Sequence, residues 1–165
     1  MVQRMGSASR NKIRSEASAA AEKVYREVDE AYREYLKLAI NYPRLDGYSK
    51  RRVDELKLPI KPGHLDCDEQ IQQRYLYTYL TDVFEIAYVA YHGKESYPEI
   101  KELYKNQWEG WDLYILKFIK RKAYRDTWTD IADEYDQRFK DYMDSKIKSY
   151  VDLIASREKP DNTPP

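Results

Sequence analysis

Few residues in this chain have both the type and the spacing to do chemistry. There are two histidines, His64 and His92, and neither follows a glutamate at the three-residue spacing that carboxylate-bridged iron bundles use. The single cysteine, Cys67, excludes an internal disulfide and a cysteine-based zinc site. Cys67 and His64 are three residues apart in a Pro/Gly-rich stretch, where nothing rigid would hold a thiol against a base. Arg74, Asp82, Glu85 and His92 fall on one stripe of a predicted helix. As acid–base machinery they would need burial to shift their pKa values. A solvated ridge is the plainer reading, with Asp82 or Glu85 accepting a hydrogen bond from a tyrosine hydroxyl across the fold. No Gly-rich phosphate loop, Ser-His-Asp order or zinc spacing occurs. The expectation is therefore no catalytic residues, no metal and no cofactor.

Two further sets bear on binding. Lys117, Lys120, Arg121, Lys122 and Arg125, interleaved with Phe118 and Tyr124, could hold a phosphate from nucleotide, nucleic acid or anionic lipid. Arg51 and Arg52, beside Lys50, are the second basic cluster available to such a ligand. Cations at a helix end also complement its dipole, and Asp112, Asp126 and Asp130 dilute the local field. Trp108, Trp111 and Trp128 could form a stacking platform. Each falls on the apolar stripe of its helix, which favours core packing.

The elements that must position these residues are helices. Seventeen tyrosines in 165 residues sit largely at helical spacing, and only 5 glycines and 7 prolines interrupt the chain. Lys+Arg and Asp+Glu each number 29, so the net charge is zero. That balance disfavours a general nucleic-acid binder and an acidic disordered chain. No run of about 18 apolar residues exists. Helices are predicted over 9–41, 68–91, 98–119, 123–134 and 136–156. Pro43 stops the first, Asp66 or Asp68 caps the second, and Pro98 opens the third. Gly110 permits close packing or a bend in the third helix. The result is an all-α fold: a bundle of about five helices with a long N-terminal helix. Residues 9–156 form the single domain, with a long loop at 43–66. Residues 1–8 read as a flexible N-terminus or a cloning remnant, and 157–165 as a disordered tail.

Val24, Val28, Ala31, Tyr35, Leu38 and Tyr42 alternate steps of four and three, an a/d seam of about three heptads. A helix of about 33 residues is about 50 Å long, more than a small domain covers. The expectation is that its first part projects and pairs two copies through Ile13, Ala17, Val24 and Val28.

The order Trp108-x-x-Trp111, Tyr124-Arg125-x-x-Trp128 and Tyr135-x-x-x-Phe139-x-x-Tyr142-Met143 resembles uncharacterised bacterial proteins with N-terminal transmembrane helices and a cytosolic Tyr/Trp-rich helical domain. Asn41-Tyr42-Pro43 and the segment Tyr79 to Tyr88 are similar too, so the resemblance spans about residues 32–143. It implies aromatic packing positions and no catalytic residues. It also implies a cytoplasmic place, at the inner face of a membrane reached only through a missing anchor or a partner. The function expected is a non-enzymatic interaction module, an adaptor or sensor domain that binds a protein or itself. The alternative is a phosphate-ligand domain built on segment 117–125.

Overall fold

The computed structural model describes residues 7–45, 65–92 and 98–158. Five α-helices follow one another: α1 Ser7–Asn41, α2 Cys67–His92, α3 Pro98–Ile119, α4 Lys122–Ile131 and α5 Gln137–Glu158, with a 3₁₀ turn at Ala132–Glu134 between the last two. No strand occurs among the described residues. The fold is an all-α bundle, as the residue spacing requires.

Local chemistry sets the boundaries. α1 runs 35 residues without a glycine or proline and ends one residue before the Tyr42-Pro43 pair. Asp66 caps α2: its carboxylate accepts the Glu69 amide at 2.9 Å, while the Glu69 carboxylate accepts the Asp66 amide at 3.1 Å. This reciprocal pair satisfies two donors that a helix start leaves open. Pro98 occupies the first position of α3, where its missing N–H costs nothing. Asp136 caps α5 by accepting the Arg138 amide at 3.0 Å. Gly110 is exposed, and a Cβ added there would meet no atom within 4 Å. The glycine therefore serves no close helix approach.

The core is aromatic. α2 is central, contacting all four other helices. Its Phe84 is fully buried and meets Trp111, Tyr114, Phe118 and Tyr124 in edge-to-face contacts with ring centroids 5.9–6.3 Å apart. Such contacts add to the large apolar area each ring buries. Tyr35 of α1 joins the same cluster through Phe118. A smaller cluster closes the other end, where Val28 packs with Ala87, Tyr91 and Tyr104. Gln73 near the start of α2 donates to the Leu45 carbonyl after the end of α1, at 2.9 Å. With Val28 meeting Ala87 and Tyr91, α1 and α2 run antiparallel.

Val28 is 1% exposed, so it is taken up within its own chain. This corrects the expectation that it faces a second copy: the heptad seam from Val28 onward is the intramolecular face of α1. Val24 packs on the rim of the same small cluster. The side chains of Ile13 and Ala17 lie outside what is described, although their backbone is helical. In the arm before Val24, every described side chain is exposed.

Candidate functional site: the outer face of the first two helices

The basic segment is assembled but largely occupied. Arg125 donates to the Ile119 carbonyl at 2.7 Å, closing the end of α3, and its guanidinium lies 5.4 Å from the Tyr150 ring. Arg121 sits over the Phe118 ring at 4.0 Å. Lys122 pairs with Asp126 at 2.6 Å, one turn on. Lys117 leans over Tyr114 at 5.7 Å, and Lys120 is exposed. Three of the five cations thus tie α3, α4 and α5 together or neutralise a neighbour. Arg51 and Arg52 fall outside the described residues.

The stripe on α2 is a set of ties to the α4–α5 corner. Arg74 pairs with Asp130 at 2.8 Å. The Tyr135 hydroxyl donates to Asp82 Oδ1 at 2.8 Å, the carboxylate–tyrosine bond anticipated from sequence. Glu85 accepts the Asp136 amide at 2.8 Å. Burial raises the Tyr135 hydroxyl well above the ordinary tyrosine value, and the Asp82 carboxylate adds to the shift. The same pattern recurs between α3 and α5, where Tyr142 donates to Asp112 at 2.5 Å and Lys146 bridges to the same carboxylate. Burial, then Asp112, raises Tyr142. These carboxylates are held by donors, an arrangement that ties the helices together.

His92 stacks on Tyr88 at 4.7 Å and meets Trp108 edge-on at 4.5 Å. Burial lowers its pKa, with Asp112 opposing. Trp128 is buried and its indole donates to Asp144 at 2.8 Å. Trp108 and Trp111 pack against the two core clusters. The tryptophans are therefore packing residues. Cys67 is exposed at the start of α2, and His64 lies outside the described residues. Among the described residues, no group of three or more His, Cys, Asp or Glu side chains could hold a metal. No described helix is long and apolar enough to cross a membrane.

What the bundle leaves open is apolar. Tyr75 is 71% exposed, Tyr42 54%, Ile86 44% and Leu38 39%. At about 100° per residue, Leu38 and Tyr42 sit on the flank of α1 turned toward α2, on the same side as Val24. Tyr75, Tyr79 and Ile86 share one outer flank of α2, between Asp82 and Ala90, and Ala90 packs on the smaller cluster as Val24 does. The carboxylates near these positions have partners: Glu27 pairs with Lys23 and Glu34 with Lys37 on α1, and Asp82 accepts the Tyr135 hydroxyl.

Sequence reasoning assigned these residues inward, Leu38 and Tyr42 to the seam and Tyr75 and Ile86 to the wide apolar arc of α2. The signal that would have found the exposed positions on α2 was the arc's width of roughly 220°, more than the neighbours of one central helix can cover. No family model matches the chain, and no curated protein or solved structure matches it.

Proposed function

We propose that this chain is a non-enzymatic helical interaction module, an adaptor or sensor domain that recognises a protein through the exposed apolar side chains of α1 and α2. One observation carries the reading: Leu38 and Tyr42 on α1 and Tyr75 and Ile86 on α2 stand exposed while the rings of the core are fully packed. Large exposed apolar side chains that gather into a patch mark contact sites. Tyrosine suits such a surface, since it brings large area with little rotamer entropy to lose. A partner helix would meet such side chains with anchors at three- and four-residue steps. We assign the module to the cytosol, at the inner face of a membrane when an anchor or an anchored partner supplies the attachment. That assignment rests on the aromatic order from Tyr32 to Met143.

The test is capture. Tagged chain is incubated in extract of the source cells beside a Tyr75→Ser/Ile86→Ser variant that keeps the wild-type helical spectrum. Retention of a discrete protein by wild type and its loss from the variant is the expected outcome. Equal retention by both would remove Tyr75 and Ile86 from the reading. Salt-sensitive binding of nucleotide, nucleic acid or anionic vesicles, abolished by charge reversal at Arg121 and Lys122, would instead favour the phosphate-ligand alternative.

A further inference from the structure

We propose that Trp128, Tyr135 and Asp82 form a redox relay, in which an indole oxidised by one electron at Trp128 is repaired by Tyr135 while the phenolic proton passes to Asp82. The inference goes beyond the interaction reading and stands on other residues. Each of the three tryptophans has a tyrosine ring beside it. Trp128 lies 5.6 Å from Tyr135, Trp108 5.4 Å from Tyr142 and Trp111 5.4 Å from Tyr32, centroid to centroid. Between rings this close, distance does not limit electron transfer. The proton does, because a phenol that loses an electron becomes a strong acid and must deprotonate. Water accepts that proton poorly at neutral pH, and a hydrogen-bonded base accepts it well.

For two of these tyrosines the structure supplies such a base, and the two bases differ. Tyr142 donates to Asp112 at 2.5 Å, but the Lys146 ammonium bonds both oxygens of that carboxylate, at 2.6 and 2.8 Å. A carboxylate bridged by an ammonium is the weaker proton acceptor. Tyr135 donates to Asp82 Oδ1 at 2.8 Å, and Asp82 is exposed, with no ion pair among the described residues. The Trp128 indole N–H in turn donates to Asp144 at 2.8 Å. A one-electron oxidant, such as the nitrogen dioxide radical, removes an electron from the indole, and the N–H proton shifts to Asp144. Tyr135 then gives one electron to Trp128 as its O–H proton moves to Asp82, and Trp128 takes its own proton back from Asp144. The products are an intact indole, a neutral tyrosyl radical and a protonated Asp82. A thiolate closes the cycle by giving one electron to Tyr135, becoming a thiyl radical, as Asp82 returns the proton. Trp128 is buried while Tyr135 is only half-buried, so the relay carries an oxidising equivalent out of the core to a place that a small reductant reaches.

The experiment is laser-flash photoionisation of the tryptophans in the full chain, with the ejected electrons scavenged by nitrous oxide and tert-butanol. Transient absorption follows the indolyl and tyrosyl radicals. In wild type the fastest phase of indolyl decay is expected to match a growth of tyrosyl absorption and to slow in D₂O. Tyr135→Phe should lose that phase. Asp82→Asn keeps an oxygen to accept the phenol but removes the base, and should slow the phase about 100-fold or more, the typical contribution of a positioned base. Asp112→Asn should leave it unchanged. Two wild-type results would overturn the relay without any variant: no tyrosyl growth, or a fast phase with no isotope effect. A fast phase that survives in Tyr135→Phe or keeps its rate in Asp82→Asn would also overturn it. Loss of the phase from Asp112→Asn alone would overturn the assignment to Tyr135.

Discussion

Thr81 and Tyr124 are buried against each other with their oxygens 3.0 Å apart, and the two ends of that bond should respond unequally to deletion. Thr81 Oγ1 donates its only proton to the Tyr77 carbonyl at 2.7 Å. The Tyr124 hydroxyl must therefore be the donor between the two side chains. In Tyr124→Phe the donor disappears and Thr81 keeps its bond to Tyr77, so nothing is stranded. The expected loss is about 0.5–1.5 kcal/mol, the net worth of one hydrogen bond. In Thr81→Val the shape is kept but the acceptor goes, and a fully buried phenol is left with no partner. The expected loss is about 1–3 kcal/mol, the cost of an unsatisfied buried donor. The double variant removes both groups and should be no less stable than Thr81→Val alone. The assay is urea unfolding followed by helical circular dichroism, read at constant m-value. Tyr124→Phe costing more than Thr81→Val would refute the donor assignment, and two zero effects would refute the bond.

Phe84→Ala should cost about 3–5 kcal/mol, measured in the same assay, because it empties the centre of the aromatic cluster. Tyr91 is different: its buried hydroxyl has no well-directed hydrogen-bond partner among the described residues, and burial pushes its pKa up to about 12, with the Trp111 indole opposing. Tyr91→Phe should therefore be neutral or stabilising by urea midpoint, and a loss above about 1 kcal/mol would mean that the hydroxyl is satisfied. His92 is held below its ordinary pKa by burial, so the folded chain binds its proton less readily than the unfolded chain does. Its share of stability is complete above the ordinary histidine value of about 6.5 and is lost as pH falls through the window below it. Urea midpoints of wild type should drop over that window more steeply than those of His92→Gln, and parallel curves would show that His92 contributes nothing. Arg125→Met should destabilise by about 1–2 kcal/mol, since it uncaps the Ile119 carbonyl. An unchanged midpoint would mean that Arg125 is available for a ligand.

Much of this fold was legible because its boundaries depend on local chemistry. Pro43, Asp66 and Pro98 act on their own backbone neighbours, and no tertiary contact is needed to read them. The Asp82–Tyr135 bond was legible as a type, since buried phenols need partners, but Tyr135 could not be chosen from seventeen tyrosines without the chain path. The face of α1 was not legible. A heptad seam records that a stripe is covered and says nothing about which chain covers it, so Val28 was assigned to a second copy when Ala87 and Tyr91 of its own chain cover it. The basic segment misled in a related way. Charge spacing does not reveal that Arg125 reaches back six residues to close the preceding helix.

The most direct test is hydroxyl-radical labelling of tyrosines in the dilute purified chain and in the same chain within its native extract. Tyr42 and Tyr75 belong to the exposed apolar set of α1 and α2, while Tyr25, 49% exposed on the other flank of α1, is an internal reference that also corrects for radical scavenging. The account predicts that labelling of Tyr42 and Tyr75 falls relative to Tyr25 in the extract. An unchanged ratio at both tyrosines would contradict it.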